Sequence, residues 1–205
     1  MSAASHAAIL LAAGASRRLG RPKALLEIDG EPLVRRSARA LLASAPHALW
    51  VVTGDPVVGG RIAAALNDLP ARCIVCADWA SGMAASLRTG VQAAAADAID
   101  GVLACPVDLP ELTAIRLREL IALWHQAPAR PAACRYGGRV GTPAVLPRTA
   151  FAAVAALQGD RGARDWLRAH PDLAVLDAPE LARDIDRPED LEPRPRHRAA
   201  RRQDA

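Results

Sequence analysis

Chemistry is first suggested by a stretch that follows a short apolar run: Leu11-Ala12-Ala13-Gly14-Ala15-Ser16-Arg17-Arg18-Leu19-Gly20-Arg21-Pro22-Lys23. Its glycines let the main chain approach a ligand closely and adopt positive φ. Successive N–H groups after a parallel strand form a concavity suited to anions, here those from Ala12 to Gly14. Arg18 and Lys23 add two cations within reach of a triphosphate. The spacing is neither G-x-x-x-x-G-K-[ST] nor G-x-G-x-x-G, so a P-loop NTPase and a dinucleotide-binding domain both fit poorly. Taken alone, the stretch also reads as a solvated basic turn. Lys23 sharpens it: of 26 basic residues it is the single Lys, and every other one is Arg. A compact ammonium kept at one place points to a need for a point charge there.

Carboxylates supply the second signal. Asp108, in Pro106-Val107-Asp108-Leu109-Pro110, follows an apolar strand and is expected at the carboxyl edge of a sheet, near the first loop. The alternative is a helix N-cap for the segment after it. Asp186 lies in a short acidic element, 184–191, that can fold back to the same edge or simply begin a turn. Two separated carboxylates with phosphate oxygens suit octahedral Mg²⁺, which takes few protein ligands. A helix opening near Gly82 directs N–H groups at an anion. Ser86 lies one turn further on, on the ligand-facing side, although capping and packing explain both residues equally well. Met83 reads as pocket wall.

These residues need a scaffold, and the chain alternates short apolar runs with helical patterns, the form of an α/β fold with a largely parallel sheet. Strands are predicted at Ala7–Ala12, Ala48–Thr53, Arg72–Cys76, Gly101–Cys105, Pro131–Arg135, Arg139–Leu146 and Leu173–Leu176. Helices are predicted at Pro32–Ser44, Val57–Leu66, Gly82–Ala96 (with Ser81 as cap), Glu111–His125, Arg148–Leu157 and Gly162–Ala169. Gly137-Gly138 marks a hairpin. Residues 1–191 form one expected domain, and the Pro/Arg-rich tail 192–205 is expected to be disordered.

Composition narrows the function classes. At 205 residues with 51% apolar content, the chain can bury a full core. The net charge of +4 is concentrated in the tail, which has five Arg against two acids, whereas residues 1–191 carry 21 basic and 20 acidic residues. The high isoelectric point therefore belongs to the tail, and neither nucleic acid nor membrane is an expected partner. Four scattered Cys fit a reducing cytoplasm rather than a disulfide scaffold. Cys73 and Cys76 form a C-x-x-C with no second pair, and a structural role is expected. The Ala7–Ala15 run lacks a basic flank before it and does not read as a signal peptide. The five His show no ligand spacing.

The motif L-A-A-G-x-S-x-R-x-G-x-x-K resembles the opening of the MobA-like NTP transferases, and within them most closely the molybdenum cofactor cytidylyltransferases. The likeness continues in family order. It takes in Asp78-Trp79-Ala80-Ser81-Gly82-Met83 with Ser86-Leu87, Pro106-Val107-Asp108-Leu109-Pro110, and Gly141-Thr142-Pro143. Gly159-Asp160-Arg161-Gly162-Ala163-Arg164 and Asp184-Ile185-Asp186-Arg187-Pro188-Glu189-Asp190-Leu191 complete it. Departures occur at Ala77, Thr142 and Arg187.

The resemblance implies a three-layer α/β/α fold like that of nucleotide-diphospho-sugar transferases: Rossmann-like, mostly parallel, with an antiparallel portion. It implies transfer of CMP from CTP to a phosphorylated acceptor of molybdopterin type, with release of pyrophosphate. Arg18, Lys23 and Asp108 would then be catalytic, and Asp108 and Asp186 would be Mg²⁺ ligands. Leu11, Ala12, Ala13, Gly14, Arg18, Lys23, Asp78, Gly82 and Ser86 would hold the nucleotide. An apo-molybdoenzyme that receives the product is an implied partner. The same likeness leaves open GTP as donor, a sugar phosphate as acceptor, and a carrier or insertion chaperone for the cofactor. Relatives that transfer guanylyl groups tend to have Gly where this chain has Ala13, whose methyl would crowd a purine.

Overall fold

The computed structural model describes residues 4–16, 18–185 and 190. The basic tail therefore lies outside the described residues, as does Asp186. The strands are β1 (His6–Leu11), β2 (Glu27–Ile28), β3 (Glu31–Pro32), β4 (Leu49–Thr53), β5 (Ala71–Val75), β6 (Gly101–Pro106), β7 (Ala132–Tyr136), β8 (Arg139–Pro147) and β9 (Ala174–Asp177). The α-helices are α1 (Leu33–Leu42), α2 (Pro56–Ala65), α3 (Met83–Ala95), α4 (Ala114–His125), α5 (Phe151–Ala155) and α6 (Arg164–Ala169).

Seven strands form one sheet in the order β5-β4-β1-β6-β8-β7-β9, and β2 and β3 pair separately. Parallel pairing runs through β5, β4, β1 and β6, whereas β8 lies antiparallel to both β6 and β7. The mostly parallel sheet with an antiparallel portion is therefore present. Gly137 and Gly138, with φ of 54° and 71°, turn the chain between β7 and β8.

The layering is visible in the alternation along β1. Ala8 and Leu10 pack with Leu33 and Leu41 of α1, Ile62 of α2 and Leu117, Leu120 and Trp124 of α4. Ala7, Ile9 and Leu11 pack with Leu87 and Val91 of α3, Val154 of α5 and Leu167 of α6. A strand covered on both faces reads as continuous apolar sequence, and all six β1 residues are buried. Small residues bring α3 close to the sheet: a Cβ built on Gly90 would stand 2.5 Å from Ile9 Cγ2.

Several boundaries differ from expectation. The helix predicted from Glu111 begins at Ala114, because the Thr113 hydroxyl accepts the Arg116 N–H at 3.3 Å and acts as the cap. The helix predicted over Arg148–Leu157 is a 3₁₀ turn at Arg148–Ala150 followed by the short α5. The next one starts at Arg164 rather than Gly162, whose φ of 54° lies outside the helical region. Ser81 does not cap α3: its hydroxyl donates to the Asp78 carbonyl at 2.8 Å, and Gly82 occupies the cap position. The β2–β3 hairpin is an additional element, turned at Asp29 and Gly30 with φ of 53° and 79°. Among the described residues no helix is long and apolar enough to cross a membrane. All four Cys are free, Cys73 exposed and Cys76 buried.

Candidate active site

Neighbouring parallel strands release their following loops side by side. Leu11 is level with Pro106, and the Val107 N–H donates to the Leu11 carbonyl at 3.2 Å. The sheet order also reverses here, with β4 on one side of β1 and β6 on the other. Such a switch point leaves a crevice beyond the carboxyl ends of the strands. A cleft of about 570 Å³ opens there. Leu11, Ala12, Ala13, Gly14, Arg18 and Lys23 line one side, Gly82, Met83 and Ser86 line another, and Asp108 closes the end of β6.

The first loop folds around Ser16, whose φ is 49°. Its carbonyl accepts the N–H groups of Leu19 and Gly20, both at 3.1 Å, and its hydroxyl accepts the Lys23 N–H at 3.0 Å. These bonds return Lys23 to the β6 edge. The Ala12 N–H, expected in the anion-holding row, instead donates to the Val52 carbonyl at 2.9 Å and continues the sheet, whereas among the described residues those of Ala13, Gly14 and Ala15 donate to no acceptor, which leaves a short row of dipoles along the cleft wall.

Lys23 Nζ stands 3.1 Å from Asp108 Oδ2, with the two side chains 11% and 26% exposed. An ammonium at that distance favours the charged form of the carboxylate, against the loss of solvent. Burial pushes the Asp108 carboxyl above its ordinary range, Lys23 opposes that shift, and the neighbouring Asp184 adds to it. Since Thr113 caps α4, Asp108 is not committed to a helix end. The Ile185 N–H donates to the Asp108 carbonyl at 3.1 Å, so the chain entering the acidic element is attached to Asp108 itself. Among the described residues no three His, Cys, Asp or Glu side chains converge on one point; the acidic neighbour seen beside Asp108 is Asp184.

The opposite wall depends on Gly82. Its φ of 116° suits glycine, and a Cβ there would lie 2.5 Å from Asp160 Oδ1 and 2.6 Å from the Gly159 carbonyl oxygen. The Ala84 N–H donates to that same carbonyl at 3.0 Å, and a Cβ on Gly162 would come within 3.1 Å of Met83 Sδ. Segment 159–162 therefore clamps the first turn of α3 and brings Asp160 into the lining. Ser86 is buried one turn further on.

Asp78 is exposed and does not belong to the lining, whereas its neighbour Trp79 does. The Trp79 ring lies against Gly54: a Cβ on Gly54 would be 2.8 Å from both Trp79 Cγ and the Ala13 carbonyl oxygen. Trp79, Ala80 and Asp160 are lining residues that sequence reasoning had not assigned to the site. Trp79 and Asp160 lie within motif-bearing segments, but only the packing shows which members face inward.

Residues 8–174 match the MobA-like NTP transferase domain. The chain belongs to that family. It is 34% identical over 197 residues to molybdenum cofactor guanylyltransferase of Rhodobacter capsulatus, covering 88% of this chain and 95% of the relative. It is also 36% identical over 177 residues to nicotine blue oxidoreductase of Paenarthrobacter nicotinovorans, covering 82% and 84%. Among solved structures, Rv0371c of Mycobacterium tuberculosis H37Rv superposes with a TM-score of 0.77 at 28% identity, covering 93% and 96% of the two chains. A complex of that protein with manganese gives 0.73 at 25% identity, covering 91% and 95%. The chain is accordingly a nucleotidyltransferase of the MobA-like family, with the α/β fold of its structural neighbours.

Proposed function

We propose that the chain, through one domain spanning residues 1–191, transfers CMP from CTP to the phosphate of a molybdopterin-type acceptor and releases pyrophosphate. The observation that carries this reading is the Lys23–Asp108 pair, 3.1 Å apart, set at the switch point beside three N–H groups without acceptors. Lys23 and Arg18 neutralise the triphosphate, and the backbone amides of the first loop hold its oxygens. Gly82 and Ser86 border the nucleotide on the α3 side. Such a site works by positioning and by placing charge where the transition state needs it.

A divalent ion fits the donor chemistry of this edge. Asp108 offers carboxylate oxygens at the end of the cleft, with Asp184 near enough to raise its pKa, and hard cations prefer oxygen. Asp108 would hold Mg²⁺ together with Asp186, which lies outside the described residues. When bound, the ion neutralises charge on the nucleotide's phosphate oxygens. The manganese complex of the mycobacterial neighbour supports divalent binding on this fold.

CTP is favoured by Ala13, a buried lining residue whose methyl takes space beside the base. GTP is the second reading, favoured by the name of the Rhodobacter capsulatus relative. Pyrophosphate release decides between them, measured with CTP and with GTP in Mg²⁺, with and without molybdopterin. Acceptor-dependent release from CTP is expected. Release from GTP alone transfers the assignment to guanylyl, and no release from either nucleotide overturns it.

A further inference from the structure

Beyond β7 and β8 a second depression of about 260 Å³ opens, lined by Tyr136, Arg139, Gly141, Arg164 and Asp184 among others. It receives two guanidinium groups from separate elements: Arg139 from the first residue of β8 and Arg164 from the first residue of α6. Both are exposed, and among the described residues neither joins an ion pair, whereas Arg35, Arg116, Arg135 and Arg161 all do. Among the described residues of its lining, two cations stand against the single acid Asp184, which leaves a net positive concave surface.

Asp184 in its lining directly precedes Ile185, whose N–H donates to the Asp108 carbonyl at 3.1 Å, so the depression lies toward the Asp108 end of the cleft. Tyr136 donates from its phenol to the Thr142 carbonyl at 2.5 Å. A Cβ built on Gly141 would lie 3.6 Å from the Tyr136 hydroxyl and 4.0 Å from Arg164 Nε. Burial pushes the Tyr136 phenol up to about 12; Asp108 adds to that shift and Arg164 opposes it, so the ring feels both groups. Asp184 in turn is close enough to act on Asp108. A phosphorylated acceptor approaching Asp108 thus meets two carboxylates, and its own negative charge needs compensation that Lys23 and Arg18 cannot give while they hold a triphosphate.

We infer that Arg139 and Arg164 form an anion seat that binds the phosphate of the acceptor and presents it to the nucleotide across Tyr136. Guanidinium groups match phosphate oxygens with paired, directional N–H donors. Gly141 keeps the approach open, since it has no side chain between Tyr136 and Arg164. The inference rests on the transferase reading, because it takes the acceptor to be phosphorylated, but its test needs no turnover.

Inorganic phosphate serves as the probe, titrated calorimetrically into the full chain with the cleft filled by the α,β-methylene analogue of CTP and Mg²⁺. The wild-type chain should bind one phosphate, and Arg139→Gln with Arg164→Gln together should weaken it by at least about tenfold. Binding of the nucleotide analogue should change by less than about twofold. Both side chains are exposed, so the variant should fold, and Arg164→Lys alone should restore part of the affinity by keeping the charge. Unchanged phosphate binding in the double variant overturns the inference. An equal loss of nucleotide binding also does so, because it assigns the arginines to the first cleft. Failure of the analogue to bind at all counts against the transferase reading instead, and phosphate is then titrated into the chain alone, with the same two variants deciding.

Discussion

Strand β1 has two ends of opposite character. At its carboxyl end the chain leaves the core after Ala12, the N–H groups of Ala13–Ala15 find no acceptor among the described residues, and Lys23 meets Asp108. At its amino end His6 is 5% exposed, shares a hydrogen bond with Ser44 Oγ at 3.1 Å, and lies edge-on to Trp124 with ring centroids 6.5 Å apart. Trp124 is itself 1% exposed and donates to the Pro128 carbonyl at 3.0 Å. One strand thus separates the groups we assign to the candidate site from groups held for packing. Substitutions at the amino end should change stability with little effect on turnover per folded molecule. Those at the carboxyl end should do the reverse.

The largest effect expected is at Trp124. Trp124→Ala empties a site pressed against Gly101, where a Cβ would already be 2.8 Å from the indole, and should cost about 3–5 kcal/mol in urea denaturation. A loss below about 1 kcal/mol would remove Trp124 from the core account.

Next comes acid. His6 titrates near 6.5 when unfolded, and burial, helped by His125, lowers it to about 4 in the native chain. Between those values the unfolded chain binds a proton that the native chain refuses. Stability should therefore fall as pH drops from about 6.5 to about 4, by roughly 3 kcal/mol, and level off outside that window. His6→Gln should flatten this part of the profile. Parallel profiles for variant and wild type would assign the acid loss to other groups.

Lys23→Ala and Asp108→Ala should each lower turnover at least ~100-fold, about 2.7 kcal/mol of transition-state stabilisation. Midpoints of urea unfolding should shift little, because both side chains lie at the end of the sheet. Near-normal turnover in either variant would break the contrast between the two ends. The smallest effect is expected at Ala13. Ala13→Gly should relax selectivity toward GTP by about tenfold or less, read from competition kinetics with CTP and GTP; an unchanged ratio would mean that the methyl does not set the base.

The scaffold was readable where one face pattern dominates. Uniform apolar runs marked β1 and β6 because both faces are covered, and helical spacing marked α4 through Leu117, Leu120 and Trp124. Local turn chemistry shifted the ends: Thr113 took the cap, and the positive φ of Gly162 delayed α6. The hairpin of β2 and β3 has only two residues per strand, too short for any period, and the Asp29-Gly30 pair was its one visible sign. In the site, the first loop and Asp108 could be read because each follows a strand at the same edge. Trp79 could not, since its place in the lining depends on packing against Gly54, just after β4. Nor could Arg139 and Arg164, whose shared depression arises from a hairpin and a helix far apart in sequence.

The hydrogen bond from Ile185 to the Asp108 carbonyl also bears on how the molecule matures. During synthesis the loop carrying Asp108 leaves the ribosome long before Ile185, so this bond at the candidate site forms only after nearly all the described chain has emerged. A nascent chain halted before that point would have its sheet under way and Lys23 in place, but would lack the bond that ties Asp108 to the end of the described chain.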